Sequence, residues 1–315
     1  MAGYAGARGL PLTTGWEDRM SVDDETGADA PAPPQPAARI RGLRKTYGDV
    51  VALQGLDLDV VPGSVVGLIG PNGAGKTTAV RCIAGLLKPD AGEVSIAPST
   101  TPGKSPVAIA AQEIELYPGL SVETNLIFFS RLSGVGNVEE VLAELTAELA
   151  LESLLGKLPK DLSIGQQRLV HVAAALVAMP DLLILDEPTA ALDVGARGML
   201  LDAVARRRSE GVAVLLSSHQ LQEVETACDS IVMINHGAVI AVGDVDDLIA
   251  KHGGGRIEMT VDGEQRVVDG DDVAAAIAQV TAGGGRLEAV NVVKPSLETV
   301  FMSLTGMRST DVEAS

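Results

Sequence analysis

Residues 70–78, GPNGAGKTT, place three glycines, one lysine and two threonines directly after the apolar run SVVGLI and before the helix-patterned stretch KTTAVRCIAGLL. Glycines without a Cβ let successive backbone N–H groups turn toward an anion. A helix beginning there points its positive dipole end at the same anion. The spacing Gly70, Gly75, Lys76, Thr77 fits G-x-x-x-x-G-K-[ST], a phosphate cradle between buried strand and helix. Pro71, Asn72, Gly73, Ala74 and Thr78 complete the candidate phosphate-binding loop, which alone would suit a GTPase, kinase, helicase or transporter motor. Lys76 is placed to reach the β- and γ-phosphates, and Thr77 to ligate Mg²⁺. The alternative is a glycine-rich turn that happens to end in lysine, and the flanking strand and helix weigh against it.

A second chemical feature is LLILDEP, 182–188. Asp186, at the end of a buried strand, is a candidate Mg²⁺ ligand acting through water. Glu187 is a candidate general base. The competing reading is two adjacent acids at a helix N-cap. A third feature is LSIGQQR, 162–168, where Ser163 and Gly165 open a helix with anion-binding character at its N-terminus.

Taken together, these features strongly resemble the ATP-binding cassette (ABC) ATPases. The resemblance implies a P-loop NTPase core of α/β class with a mostly parallel sheet, a small antiparallel β arm and a helical subdomain. It also implies that Ser163, Gly165 and Gln166 form a signature that binds the γ-phosphate held by another subunit. With one cradle and one signature per chain, two composite sites in a dimer follow, the second ATPase subunit expected to be a second copy. The remaining family marks fall in order. Tyr47 matches the aromatic that stacks on adenine, and Gln112 the glutamine that meets Mg²⁺ and the attacking water. Asp193 matches the loop that links the two sites, and His219 the histidine that contacts the γ-phosphate. Glu187, His219 and Gln112 are thus the expected catalytic set, with ATP and Mg²⁺ as cofactors. Three departures stand out: Ile164 where glycine is common, a short segment between GEVSIA and VAIAAQ, and alanines just before Gln112.

The stretches LYPGLSVETNLIFFSRLSG (116–134) and PSLETVFMSLTG (295–306) look like the drug-resistance, daunorubicin-exporter branch. That branch implies a motor docked under separate transmembrane permease subunits, peripheral to the cytoplasmic face of the membrane, with a drug or antibiotic as cargo. An importer ATPase, a non-transport cytosolic ABC ATPase and a module that holds ATP without turnover are the alternatives.

The wider chain must position these groups. Alternating buried-strand and helical text over 38–252 predicts the ATPase domain. Residues 113–180 read as helices, with Val141, Leu142, Leu145, Leu149 and Leu151 as a core stripe, and IVMINHGAVIAVG as a hairpin turning at Asn235-His236-Gly237. Residues 253–308 read as a small C-terminal α+β domain. Residues 1–37, acidic and rich in Pro and Ala, read as a disordered tail carrying Tyr4 and Trp16, and 309–315 as a short terminal tail. Apolar residues are 46% of the 315, enough for a large core, and aromatics only 2%, so that core is aliphatic. A net charge of −18 argues against nucleic acid as a partner. Any anion must be held by local donors. Cys82 and Cys228 offer neither a disulfide framework nor metal spacing and read as small buried hydrophobes. With no apolar run near the ~20 residues of a span, a soluble chain is expected.

Overall fold

The computed structural model describes residues 35–101, 105–270, 272–282, 284 and 286–305. The tails expected at 1–37 and 309–315 lie, apart from residues 35–37, outside the described residues.

The elements in order are β1 (Ala38–Tyr47), β2 (Val50–Val60), β3 (Val65–Ile69), α1 (Lys76–Ile83), β4 (Ala91–Ile96), β5 (Val107–Ala110), α2 (Val122–Leu132), α3 (Val138–Glu148), α4 (Ile164–Leu176), β6 (Leu182–Asp186), α5 (Val194–Ser209), β7 (Ala213–Ser218), α6 (Leu221–Ala227), β8 (Ser230–Asn235), β9 (Ala238–Asp244), α7 (Val245–His252), β10 (Arg256–Val261), β11 (Glu264–Asp269), α8 (Val273–Ala282), β12 (Leu287–Val293) and α9 (Leu297–Thr305). The central sheet has six strands in the order β5-β6-β7-β3-β8-β9. All pairs are parallel except β8–β9.

β3, β6 and β7 are buried at every position, which requires cover on both faces. Alternate residues supply the two layers. Val65, Ile69, Leu183, Leu185, Val214 and Leu216 join a core with the helical residues of α2–α6. Val66, Leu68, Leu182, Ile184, Ala213 and Leu215 face the other way, against α1 and the antiparallel sheet β2-β1-β4. The stripe Val141, Leu142, Leu145, Leu149 and Leu151 is buried in the first of these cores. α3 is also tied to α5 by ion pairs of Arg206 with Glu144 and of Arg207 with Glu148, the latter 2.9 Å long.

The β8–β9 hairpin closes through His236 and Gly237, both at positive φ (48° and 76°), as a two-residue turn of this hand requires. Gly237 N–H donates to the Ala74 carbonyl at 2.9 Å, and Gln54 N–H donates to the Gly237 carbonyl at 2.8 Å. The turn therefore braces the glycine loop against β2.

Beyond α7, β11-β10-β12 form a separate antiparallel sheet. Ile257, Met259 and Val261 pack it on Ala276 and Val280 of α8. α9 does not join that unit, a difference from the single C-terminal block expected at 253–308. Its Leu297, Val300 and Phe301 are buried in the main core with Val245 and Leu248 of α7. The Leu297 N–H donates to Glu225 of α6 at 3.0 Å. The apolar face of LETVFMSLT packs on α6 and α7, while α8 covers the small sheet. Cys82 and Cys228 are free and buried, and burial pushes the Cys228 thiol up to about 12.

Candidate functional site: a phosphate cradle beside two strand-end acids

The cradle runs from the end of β3 into α1. Gly70, Gly73 and Gly75 all take positive φ (156°, 77° and 111°). Two of them are forced by close approach as well. A Cβ at Gly70 would collide with the Ile234 carbonyl oxygen, and one at Gly75 with that of Ala52. Gly75 caps α1 without any side-chain hydrogen bond, so the first-turn N–H groups are left for an external acceptor. Lys76 is only 6% exposed. Its Nζ donates to the Gly70 carbonyl at 2.8 Å and the Pro71 carbonyl at 3.3 Å, and lies 3.2 Å from Glu187 Oε1.

The parallel register sets Asp186 of β6 opposite Ser217 of β7. The Ser217 hydroxyl donates to Asp186 Oδ1 and accepts the Glu187 N–H at 3.1 Å. Glu187 follows the strand at φ 51°, a left-handed conformation that costs a non-glycine residue energy and turns its side chain toward the cradle. Its second oxygen lies 2.8 Å from His219 Nδ1. Burial raises the Asp186 carboxyl above its usual range. The Ser217 hydrogen bond and the nearby Thr77 hydroxyl oppose that, Glu187's charge adds to it, and Lys76's charge offsets it. Asp186 Oδ2 is buried with no hydrogen-bond partner. The Thr77 hydroxyl donates to Gln112 Oε1 at 3.2 Å. An orphaned carboxylate oxygen next to a hydroxyl and an amide oxygen is a donor set suited to a hard divalent cation.

A cavity of about 590 Å³ opens above these groups, lined among others by Tyr47, Asn72, Gly73, Gly75, Lys76, Thr77, Thr78, Gln112 and Glu187. Tyr47 is half exposed, and Lys45 Nζ lies 5.7 Å from its ring centroid. Lys45 and the Thr46 N–H are both held by Asp90, at 2.9 and 2.7 Å, which fixes the strand end carrying Tyr47. Ala74, within the loop, is buried.

Ser163, Gly165, Gln166 and Asp193 do not line this cavity. Ser163 and Gln166 form a capping box at the start of α4: Ser163 Oγ accepts the Gln166 N–H at 3.2 Å, and Gln166 Oε1 accepts the Ser163 N–H at 3.1 Å. Asp193 caps α5, accepting the Ala196 N–H at 2.9 Å. The two starts touch, since a Cβ on Gly165 would sit 2.6 Å from the Ala191 carbonyl oxygen. A larger groove, about 940 Å³, lies between α2 and α3. It holds no glycine loop and no buried charge, whereas the smaller cavity is lined by the glycine loop, Lys76 and Glu187.

Sequence reasoning missed Ser217, and it missed His236 and Ala52, which line the cavity. The polar pair in LLSSH was the available signal for Ser217. His236 reaches the site only through its hairpin turn.

Residues 53–190 match the family profile described as ABC transporter. The linearmycin resistance ATP-binding protein LnrL of Bacillus subtilis is 32% identical over 304 residues, 84% of this chain and 96% of that protein. The daunorubicin/doxorubicin resistance ATP-binding protein DrrA of Streptomyces peucetius is 35% identical, covering 79% and 77%. A solved ATP-binding subunit of an ABC transporter superposes with a TM-score of 0.63 at 32% identity, covering 69% of this chain and 93% of that one. A dimeric ATP-binding cassette bound to ADP and Pi shares the fold, with a TM-score of 0.60 at 24% identity, covering 66% and 98%. The chain belongs to the ATP-binding cassette transporter family. Within that family it is an ATPase subunit, the cassette that binds and hydrolyses ATP.

Proposed function

We propose that this chain is the motor of an exporter: 38–252 bind and hydrolyse ATP with α9 packed against them, the small sheet and α8 that follow α7 supply an accessory region, and a separate membrane permease carries a drug or antibiotic. The observation that carries the catalytic part is Glu187, held between Lys76 Nζ at 3.2 Å and His219 Nδ1 at 2.8 Å at the floor of the cradle. The resistance proteins among its relatives support the export reading. Among the described residues no helix is long and apolar enough to cross a membrane. In this reading the membrane passage belongs to the permease and the chain sits beneath it at the cytoplasmic face.

Tyr47 stacks on the adenine, and the N–H groups of 73–78 with Lys76 bind the phosphates. Glu187 accepts the proton of the attacking water, and His219 holds the carboxylate in place. Thr77, Asp186 and Gln112 would hold Mg²⁺, which when bound neutralises charge on the phosphate oxygens. The partner subunit's Ser163 and the partner subunit's Gly165 close over the γ-phosphate, so a site is complete only in a pair of subunits. Closure excludes water, which makes hydrolysis wait for dimerisation. Tyr117, Phe128 and Phe129 form an aromatic cluster, with ring centroids 4.8 to 6.0 Å apart, at the start of the helical layer. This half-exposed patch is the expected seat of the permease.

Glu187→Gln tests the reading. ATP binding is retained, turnover falls roughly 10²–10⁴-fold, and ATP drives the variant into a stable dimer visible by light scattering. Hydrolysis at the parent rate would remove Glu187 from the mechanism. Pull-down of a multi-span membrane protein tests the export role.

A further inference from the structure

Arg168 lies five residues beyond the Ser163 cap on α4, and it is buried to 8% exposure. A buried guanidinium needs acceptors, and it takes them from the backbone of a distant segment. Nη1 donates to the Ala111 carbonyl at 2.9 Å and Nη2 to the Gln112 carbonyl at 2.5 Å. Two parallel bonds from one planar fork fix orientation as well as distance. Gln112 in turn accepts from Thr77 at the cradle. One unbroken path therefore runs from the start of α4 through Arg168 and Gln112 to Thr77. Burial lowers the Arg168 pKa, while Asp186 and Glu187 pull it back up; the guanidinium thus feels the catalytic carboxylates without touching them.

We propose that Arg168 is a positioning residue that locks Gln112 to α4 and so couples the two nucleotide sites of the assembled pair. The inference rests on the proposed dimer, in which Ser163 serves the nucleotide on the partner while Gln112 serves the nucleotide on its own chain. Movement of α4 on meeting the opposite γ-phosphate is transmitted as a shift of the Ala111–Gln112 backbone. Gln112 then reaches its working position only when both sites are filled.

Arg168→Lys keeps the charge and loses the fork, and Arg168→Met keeps the volume and loses every donor. Both are assayed in the full chain, with folding checked by circular dichroism. ATP affinity, read by calorimetry, stays within about twofold of the parent, because the cradle is untouched. The kcat falls roughly 10–100-fold, as for other groups that orient a reacting residue, and the Hill coefficient for ATP drops toward 1. In a Gln112→Ala background the same substitutions have no further effect on kcat, since Arg168 acts through Gln112. Full kcat and cooperativity in either folded variant, or an undiminished loss in the Gln112→Ala background, would overturn the proposal. A parent that hydrolyses ATP as a monomer with a Hill coefficient of 1 would instead defeat the dimer reading. The double-substitution result would still report whether Arg168 positions Gln112.

Discussion

The starts of α1 and α4 meet the same physical problem and solve it in opposite ways. Both leave first-turn N–H groups without intrahelical partners. α1 begins at Gly75 with no side-chain cap, so its donors are free for phosphate. α4 begins with a reciprocal box in which Ser163 and Gln166 satisfy each other. The bare start is an open receptor. The boxed start keeps fewer free donors, the Ile164 and Gly165 N–H groups and the Ser163 hydroxyl proton, and its backbone is already held in place by Ser163 and Gln166.

Substitutions at four positions, one of them with a control elsewhere, sharpen or break this contrast. Lys76→Ala at the open start lowers ATP affinity roughly 100-fold, because a buried charge-assisted contact is lost. Unchanged affinity by calorimetry would deny the cradle its role.

His171, inside α4, gives an effect of similar size, on stability. Burial, and then the charge of Arg168, lower its pKa to about 4, and its Nδ1 has no partner. Between pH 6.5 and 4 the unfolded chain takes up a proton that the folded chain refuses. Stability therefore falls as pH drops through that window, by about 3 kcal/mol. His171→Leu removes that share of the acid sensitivity in urea melts at pH 7 and 4.5. Parallel losses in parent and variant would contradict the burial of a neutral ring.

Gly165→Ala forces a Cβ against the Ala191 carbonyl and costs about 1–3 kcal/mol, the usual range for overpacking. Gly198→Ala is its control: it sits in α5 with open space around the site of a Cβ, so it stabilises by about 1 kcal/mol. Equal effects of the two would remove the argument for a weld between α4 and the Asp193 loop.

Ser163→Ala costs about 1 kcal/mol in thermal melts through the lost cap. Ser163→Asp separates the two duties of that hydroxyl. It keeps the cap, so stability holds, but it repels phosphate, so turnover falls. Full turnover in the aspartate variant would show that Ser163 never meets the nucleotide.

Much of this site could be read from the chain because its signals are local. The cradle, the Asp186–Glu187 pair and the Ser163 helix start each occupy fewer than ten consecutive residues, and the apolar runs of β3, β6 and β7 announce a sheet buried on both faces. What stayed hidden depends on register and packing between distant segments. Ser217 meets Asp186 because β7 aligns the two, and His236 lines the cavity because its hairpin turn leans on the glycine loop. Arg168 is an ordinary helical arginine until α4 lies against the Gln112 loop. α9 looked like the end of the C-terminal unit because it follows β12 directly, but its apolar face finds α6 and α7 instead.

That last placement has a practical side. β10 to β12 and α8 leave the main body after α7, and the chain comes back to it through α9. The small sheet is thus a detour anchored at both ends, and shortening the protein from its C-terminus is not the same operation as cutting the detour out. A stop after His252 would strip Leu297, Val300 and Phe301 from the aliphatic interior and bare the flank of α7. Joining α7 to α9 through a short flexible bridge would leave that interior filled, and would yield a motor from which the accessory sheet alone has been excised.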